Sequence, residues 1–251
     1  MQRYFIDENY QPTIHLTDEN YHHIVRVMRM KNGQEIFVVF ADEMAIKAEI
    51  TDITEESVIV TEIEKETFQR ELPIHITIAS GFPKGEKLEL IAQKATELGA
   101  FNFFVFPAET SVVKWDQKKQ GKKVARLNKI IQEAAEQSHR QHLPRLESIS
   151  PKELVNHFSD FDAVLIAYEE SAKQGEQAQL VQTFQQLTDG QKLLVIFGPE
   201  GGLTPNEIEK YQLAGAKLAG LGPRILRTET APLYLLSAVS FYYELSSSTA
   251  H

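Results

Sequence analysis

Leu193 to Leu203, LLVIFGPEGGL, joins a short apolar run to three glycines and one carboxylate, a combination suited to holding a small molecule. The apolar run Leu193 to Phe197 reads as a strand buried on both faces, as in a parallel sheet. Gly198, Gly201 and Gly202 then permit close backbone approach and positive φ angles. Thr204, Pro205 and Glu207 follow as N-cap, first helical residue and capping-box partner, so a helix begins there. Strand, glycine loop and helix in that order place a ligand at the carboxyl edge of a sheet.

Such loops often bind phosphate, yet the dinucleotide pattern GxGxxG is absent and Gly81 to Lys87 (GFPKGEK) has the wrong spacing for a phosphate loop. Glu200 sits inside the loop, where a carboxylate repels phosphate but accepts hydrogen bonds from ribose hydroxyls or an amine. The loop therefore favours a cationic or neutral nucleoside over a nucleotide, and S-adenosylmethionine, with its sulfonium and ammonium charges, fits. An ordinary strand-to-helix turn is the plainer alternative. A second segment, Leu221 to Ala231 (LGPRILRTETA), reads as completing the site, or as a strand end and a helix start capped by Thr228 or Thr230.

These residues need a frame to position them. With 251 residues, 42% of them hydrophobic and 24% charged, the chain has room for one large domain or two modest ones. No apolar stretch is long enough for a membrane span and Met1 to Tyr10 lacks the apolar centre of a signal peptide, so a cytoplasmic location and no membrane partner are expected. The absence of cysteine excludes disulfides, thiolate zinc sites and attack on a pyrimidine through a cysteine adduct. His139 and His142 are the sole helix-spaced histidine pair, and no metal site is expected.

The first seventy or so residues contain short β-rich pieces, Arg3 to Ile6, Thr13 to Leu16, Glu35 to Phe40, Ala45 to Ile50 and Ser57 to Ile63, which suggests a small barrel or sandwich. Polar Glu64 to Leu72 reads as a linker. Beyond it strands and helices alternate: strands at Ile74 to Ala79, Phe101 to Phe106, Asp162 to Tyr168, Leu193 to Phe197 and Lys217 to Leu221. Helices are expected at Glu86 to Leu98, Val124 to Ser138, near Glu176 to Leu187 and at Pro205 to Ala214. That alternation argues a parallel α/β sheet. Pro232 to Leu245 is apolar around nearly its whole circumference, so it is central to the fold or part of a subunit interface.

A formal charge of −9 argues against indiscriminate nucleic-acid binding. Two basic clusters run against that balance. Lys114 to Lys129 holds seven basic residues against Asp116 alone, and His22 to Lys31 carries Arg26, Arg29 and Lys31 with two histidines and no acid. Each alone reads as a solvated face; two in an acidic chain suit a guided RNA surface.

Gly85 to Gly99 (GEKLELIAQKATELG), Ser111 to Lys114 (SVVK), Glu133 to Ser138 (EAAEQS), Gly198 to Leu203 (GPEGGL) and Leu221 to Ala231 together resemble the ribosomal RNA small subunit methyltransferase E family. The resemblance spans the chain. It implies a SPOUT methyltransferase domain at residues 71–251, an α/β trefoil-knotted parallel sheet with helices on both faces, preceded at 1–70 by a small PUA-like RNA-binding β-barrel. It also implies methylation of N3 of one uridine in 16S rRNA within the small ribosomal subunit, using S-adenosylmethionine and releasing S-adenosylhomocysteine, by a homodimer. Two departures stand out: Phe40 to Glu43 lacks the family's glycine-containing turn, and Leu88 to Leu90 lacks an aromatic.

Carried over by residue, the resemblance implies that three loops enclose the cofactor: Ile166, Ala167, Tyr168 and Glu169; Phe197, Gly198, Pro199, Glu200, Gly201 and Gly202; and Leu221, Gly222, Ile225, Leu226, Arg227, Thr228, Thr230 and Ala231. Uracil N3 bears an imide proton, so its methylation requires loss of that proton and stabilisation of charge on the flanking carbonyl oxygens. Arg227 is the candidate stabiliser, and Glu229 or Glu200 a proton acceptor, unless they bind ribose or fix a loop. Positioning alone is the alternative mechanism. Expected RNA contacts are Arg3, His22, His23, Arg26 and Arg29 on one surface and Lys114, Lys118, Lys119, Lys122, Lys123 and Arg140 on another. Competing functions are a knotted methyltransferase for another rRNA or tRNA position, a non-catalytic ribosome-binding module, and a nucleotide-phosphate enzyme.

Overall fold

A computed structural model describes residues 1–168 and 178–246. They fall into two compact units, one formed by Met1–Glu71 with Ala135–Leu143, the other by Leu72–Ala134 with the chain from Pro144 onward.

The first unit is a curled, mixed five-stranded sheet. Its strands are β1 (Arg3–Phe5), β2 (Thr13–Leu16), β3 (Glu35–Val39), β4 (Ala45–Ile53) and β5 (Val58–Lys65), in the order β1-β3-β4-β5-β2. β1 runs parallel to β3, and the other pairings are antiparallel. Alternate residues, among them Ile14, Leu16, Ile36, Val38, Ile46, Ile50, Val58 and Val60, share one core. Register shifts at Lys47/Ala48 and Ile50/Asp52 bend β4 and promote the curl. A short helix α1 (Asp18–His22) continues into a π-helical turn, His23–Val27, whose Ile24 is fully buried in the same core. The turn that departs from the family pattern is made with Glu43 at φ 63°, a conformation glycine adopts more easily.

Glu64 to Leu72 is not the free linker its polarity suggested. Two of its acids are drawn inward by arginines: Glu66 keeps only 6% of its side chain exposed beside Arg3, and Glu71 pairs with Arg140.

In the second unit all strands are parallel: β6 (His75–Gly81), β7 (Asn102–Phe106), β8 (Leu146–Ser148), β9 (Ala163–Ala167), β10 (Lys192–Phe197) and β11 (Lys217–Ala219), in the order β11-β9-β10-β6-β7-β8. β10 is central, and its apolar run is buried on both faces: Leu194 and Ile196 join the core with Tyr211 and Phe158, while Leu193, Val195 and Phe197 are buried on the opposite face. Helices α2 (Lys87–Glu97), α3 (Gln117–Gln137), α4 (Pro151–Asn156), α5 (Ala178–Gln186), α6 (Pro205–Leu213) and α7 (Thr230–Ser240) connect the strands or follow them. α2 packs on α7. α7 buries Pro232, Leu235, Leu236 and Val239, then passes into a π-helical turn, Phe241–Leu245.

β8 and α4 were missed in the sequence, although Ser150, Pro151 and Glu153 form a capping box there. The basic stretch read as a charge run is the exposed start of α3, which begins seven residues before the apolar periodicity. No helix among the described residues is long and apolar enough to cross a membrane.

Candidate functional site

The loops after β9, β10 and β11 converge on a cavity of about 710 Å³. Strand register brings them level, since Ile196 pairs with Ile166 and Ala219 with Ala167. Ala167 and Tyr168 form one wall, Phe197 to Leu203 a second, and Leu221, Gly222, Arg224 to Thr228 and Ala231 a third; Lys87 reaches in from the start of α2.

The glycine loop is tight. A Cβ on Gly198 would lie 2.7 Å from the carbonyl carbon of Gly202 and 2.8 Å from the nitrogen of Leu203. Gly202, at φ 70°, closes the turn by donating its N–H to the Pro199 carbonyl at 2.8 Å. The capping box expected at Thr204 and Glu207 is present and starts α6 directly after the loop. Glu207 is buried, and it also accepts the Glu109 N–H at 2.9 Å, tying the segment after β7 to this helix start. In the third wall, the Arg227 carbonyl accepts the N–H groups of Thr230 and Ala231 at 2.9 and 3.0 Å, which fixes the backbone while the Arg227 side chain stays exposed.

Both carboxylates singled out in the sequence converge on Lys87. Its Nζ lies 2.9 Å from Glu200 Oε1 and 3.4 Å from Glu229 Oε2. Glu200 also accepts the Lys84 N–H at 3.0 Å. Burial pushes the Glu200 carboxyl up, but the Lys87 hydrogen bond and backbone donors outweigh it and hold it below the usual range. Its two carboxylates, above all Glu200, raise the Lys87 ammonium against a smaller opposing effect of burial. Glu200 is therefore a poor proton acceptor, already engaged in anchoring its loop. Glu229 Oε2, buried, has the ion pair but no hydrogen bond.

Of the expected cofactor residues, most line the cavity. Ile166 is fully buried inside β9, Thr230 is exposed at the start of α7 and is not part of the lining, and Glu169 lies outside the described residues. Lys87, Leu203 and Arg224 line it without having been singled out. Lys87 carries a signal in the sequence, as a lysine in the first turn of a helix that follows a glycine-bearing loop, but nothing in that spacing points to its two carboxylate partners.

The RNA expectations divide. His22, Arg26, Arg29, Lys114, Lys118, Lys119, Lys122 and Lys123 are exposed. His23 is half-buried, its Nδ1 3.0 Å from the Tyr4 hydroxyl. Arg3 and Arg140 are corrections: their side chains are 0% and 3% exposed. Arg3 donates to Glu66 Oε2 at 2.6 Å and to the Arg140 carbonyl at 3.1 Å, and Arg140 is bound to Glu71. A guanidinium taken out of water must keep its carboxylate, so neither is available to phosphate. Among the described residues no group of three or more His, Asp or Glu side chains is placed to hold a metal ion.

A model of the RNA methyltransferase domain matches residues 70–240, and one of the RNA methyltransferase PUA domain matches residues 16–63. The ribosomal RNA small subunit methyltransferase E of Bacillus subtilis is 49% identical over 251 residues, covering 98% of each chain. The chain belongs to the ribosomal RNA small subunit methyltransferase E family. A further small subunit methyltransferase E, from Synechocystis, is 31% identical over 93% of this chain and 75% of its own. The solved methyltransferase E of Neisseria gonorrhoeae, bound to S-adenosyl methionine, superposes with a TM-score of 0.82 at 26% identity over 97% of this chain and 98% of that one. A Legionella pneumophila protein solved in complex with SAM gives 0.80 at 29% identity over 96% and 97%.

Proposed function

We propose that this protein transfers a methyl group from S-adenosylmethionine to N3 of one uridine of 16S rRNA. The cavity at the ends of β9, β10 and β11 carries the reading: about 710 Å³ is within the usual range for a small-molecule site, and its glycine loop lets backbone groups face a ligand. The apolar walls Phe197, Leu221, Ile225 and Leu226 suit a nucleoside. Tyr168, the Gly198 to Gly202 loop and the backbone of Leu221 to Ala231 would hold the cofactor, in the trefoil knot that membership of the family implies.

When bound, S-adenosylmethionine supplies an electrophilic methyl group on its sulfonium and departs as S-adenosylhomocysteine. The chain's own task is to orient uracil and steady the charge left when the N3 proton goes to solvent or a base. Arg227, an exposed guanidinium on the cavity wall, suits the carbonyl oxygens flanking N3. Glu200 is better assigned to loop anchoring than to proton removal, and Glu229, paired with the same ammonium and outside the cavity lining, is no better placed, which favours alignment of the reactants with the N3 proton passing to solvent.

The substrate is 16S rRNA in the small subunit, met through the exposed Arg26 and Arg29 of the first unit and the lysines of α3, in the cytoplasm. A homodimer would cover apolar side chains of α7 and its π-helical extension, where Tyr234, Phe241 and Leu245 are 39%, 63% and 63% exposed. Mass-spectrometric mapping of 16S rRNA from a strain lacking the protein tests the reaction: loss of one N3-methyluridine, restored by the purified enzyme on small subunits, is the expected result. An intact modification would refute it.

A further inference from the structure

Beside the glycine loop stands an aromatic stack that the reaction as described does not use. Trp115 lies on Phe82, ring centroids 4.4 Å apart and planes 13° from parallel. Lys123 Nζ lies 5.1 Å from the indole centroid. Since Phe82 fills one face of the indole, the lysine covers the other. Phe82 is buried, while Trp115 is half-exposed. The two segments that carry the stack both touch the glycine loop. Phe82 follows Gly81, whose Cβ would meet Pro199 of the glycine loop at 2.7 Å, and Thr110, ahead of Trp115, donates to the Gly202 carbonyl. Lys114, Lys118, Lys119 and Lys122, near neighbours of Trp115 in sequence, are exposed.

An indole supported from below and capped by one lysine ammonium, on a stretch rich in exposed lysines, has the properties of a stacking platform for an unpaired base. We propose that Trp115 receives an rRNA nucleobase next to the one that enters the cavity, with Lys123 leaving the ring to meet that nucleotide's phosphate. The exchange keeps a cation near the indole only until RNA arrives. It makes stacking dependent on both base and backbone, and so holds the strand in register over the cavity. This rests on the RNA reading above.

Trp115 is the only tryptophan in the chain, so its fluorescence reports the platform directly. A short single-stranded oligouridylate should quench it, and an abasic strand of equal length and charge should not; equal responses, or no response to either, overturn the proposal. Trp115→Leu should lower kcat/KM for small-subunit methylation at least about fivefold, with Trp115→Phe retaining most activity and both keeping parental S-adenosylmethionine affinity by calorimetry. Parental kcat/KM in Trp115→Leu also overturns it. Should the parent protein show neither cofactor heat nor methylation while base-dependent quenching persists, the platform stands and the proposed reaction falls.

Discussion

Lys87 Nζ lies 2.9 Å from Glu200 Oε1, so the first turn of α2 is pinned to the glycine loop. The same ammonium reaches Glu229 at 3.4 Å, joining two cavity-forming segments that are far apart in sequence. Lys87→Met removes that link and leaves two carboxylates near each other without a counter-charge. Because the Lys87 and Glu200 side chains are each 28% exposed, solvent screens the loss. S-Adenosylmethionine affinity should fall only a few-fold, roughly three- to fivefold, by calorimetry. A loss of more than a hundredfold would make Lys87 a direct ligand rather than a clamp.

Gly198→Ala acts more severely on the same loop. Its new methyl would meet backbone atoms of Gly202 and Leu203 at 2.7 and 2.8 Å, and backbone cannot swing aside as a side chain can. The turn must open, at a cost of about 1–3 kcal/mol. Cofactor affinity in calorimetry should fall by at least about tenfold, while affinity for 16S rRNA fragments stays unchanged. Unchanged affinity would show that the loop geometry does not matter to the cofactor.

The glycine loop was legible because chemistry and local structure coincide there: β10 is apolar from Leu193 to Phe197, Gly198 follows it directly with Gly201 and Gly202 close behind, and Thr204 and Glu207 cap the next helix as their spacing requires. Arg3 and Arg140 were misread for a physical reason. Exposed phosphate-binding arginines and buried ion-paired arginines look alike until the fold brings in their carboxylates, and Arg140 lies 69 residues from Glu71. The short β8 and the π-helical turn at His23 carry too few residues to show a period. Lys87 remained hidden because its partners, Glu200 and Glu229, come from distant segments.

The Arg140–Glu71 pair gives the first unit an acid-sensitive contact. Burial alone would push the Glu71 carboxyl up, but Arg140 and the N–H groups of His142 and Gln141 outweigh it and hold it below the usual range. The contribution is thus complete above the ordinary carboxylate range and disappears as pH falls through the depressed folded value. Glu71→Gln should lower stability at neutral pH and flatten its decline in acid, as read from urea unfolding at stepped pH. Arg140→Ala should cost about 3–5 kcal/mol at neutral pH, since it strands a largely buried carboxylate. A loss confined to RNA affinity, with stability intact, would restore Arg140 to the nucleic-acid surface.

Arg26, within the π-helical turn, and Arg29, just after it, are exposed on the first unit. Reversing both charges should weaken binding to 16S rRNA fragments across sequences. It should also reduce the slope of log affinity against log salt by about 0.7 to 0.9 for each phosphate that the arginines no longer neutralise. Unaltered affinity and slope would remove this face from the RNA path.

Arg227 offers the sharpest division between binding and chemistry. Its backbone carbonyl holds the start of α7 through two N–H donors, so the loop survives substitution of the side chain. The proposed role sets the guanidinium, exposed on the cavity wall, against the substrate. Charge develops on uracil oxygens only as the N3 proton departs, so a group aimed at them stabilises the transition state more than the bound cofactor. Arg227→Ala should therefore slow single-turnover methylation by about a hundredfold or more while changing S-adenosylmethionine affinity less than about threefold. Arg227→Lys should recover only part of the rate, because a point charge cannot reproduce the planar fork. Equal losses of rate and cofactor affinity would assign Arg227 to cofactor binding and leave alignment of the two reactants as the main source of rate.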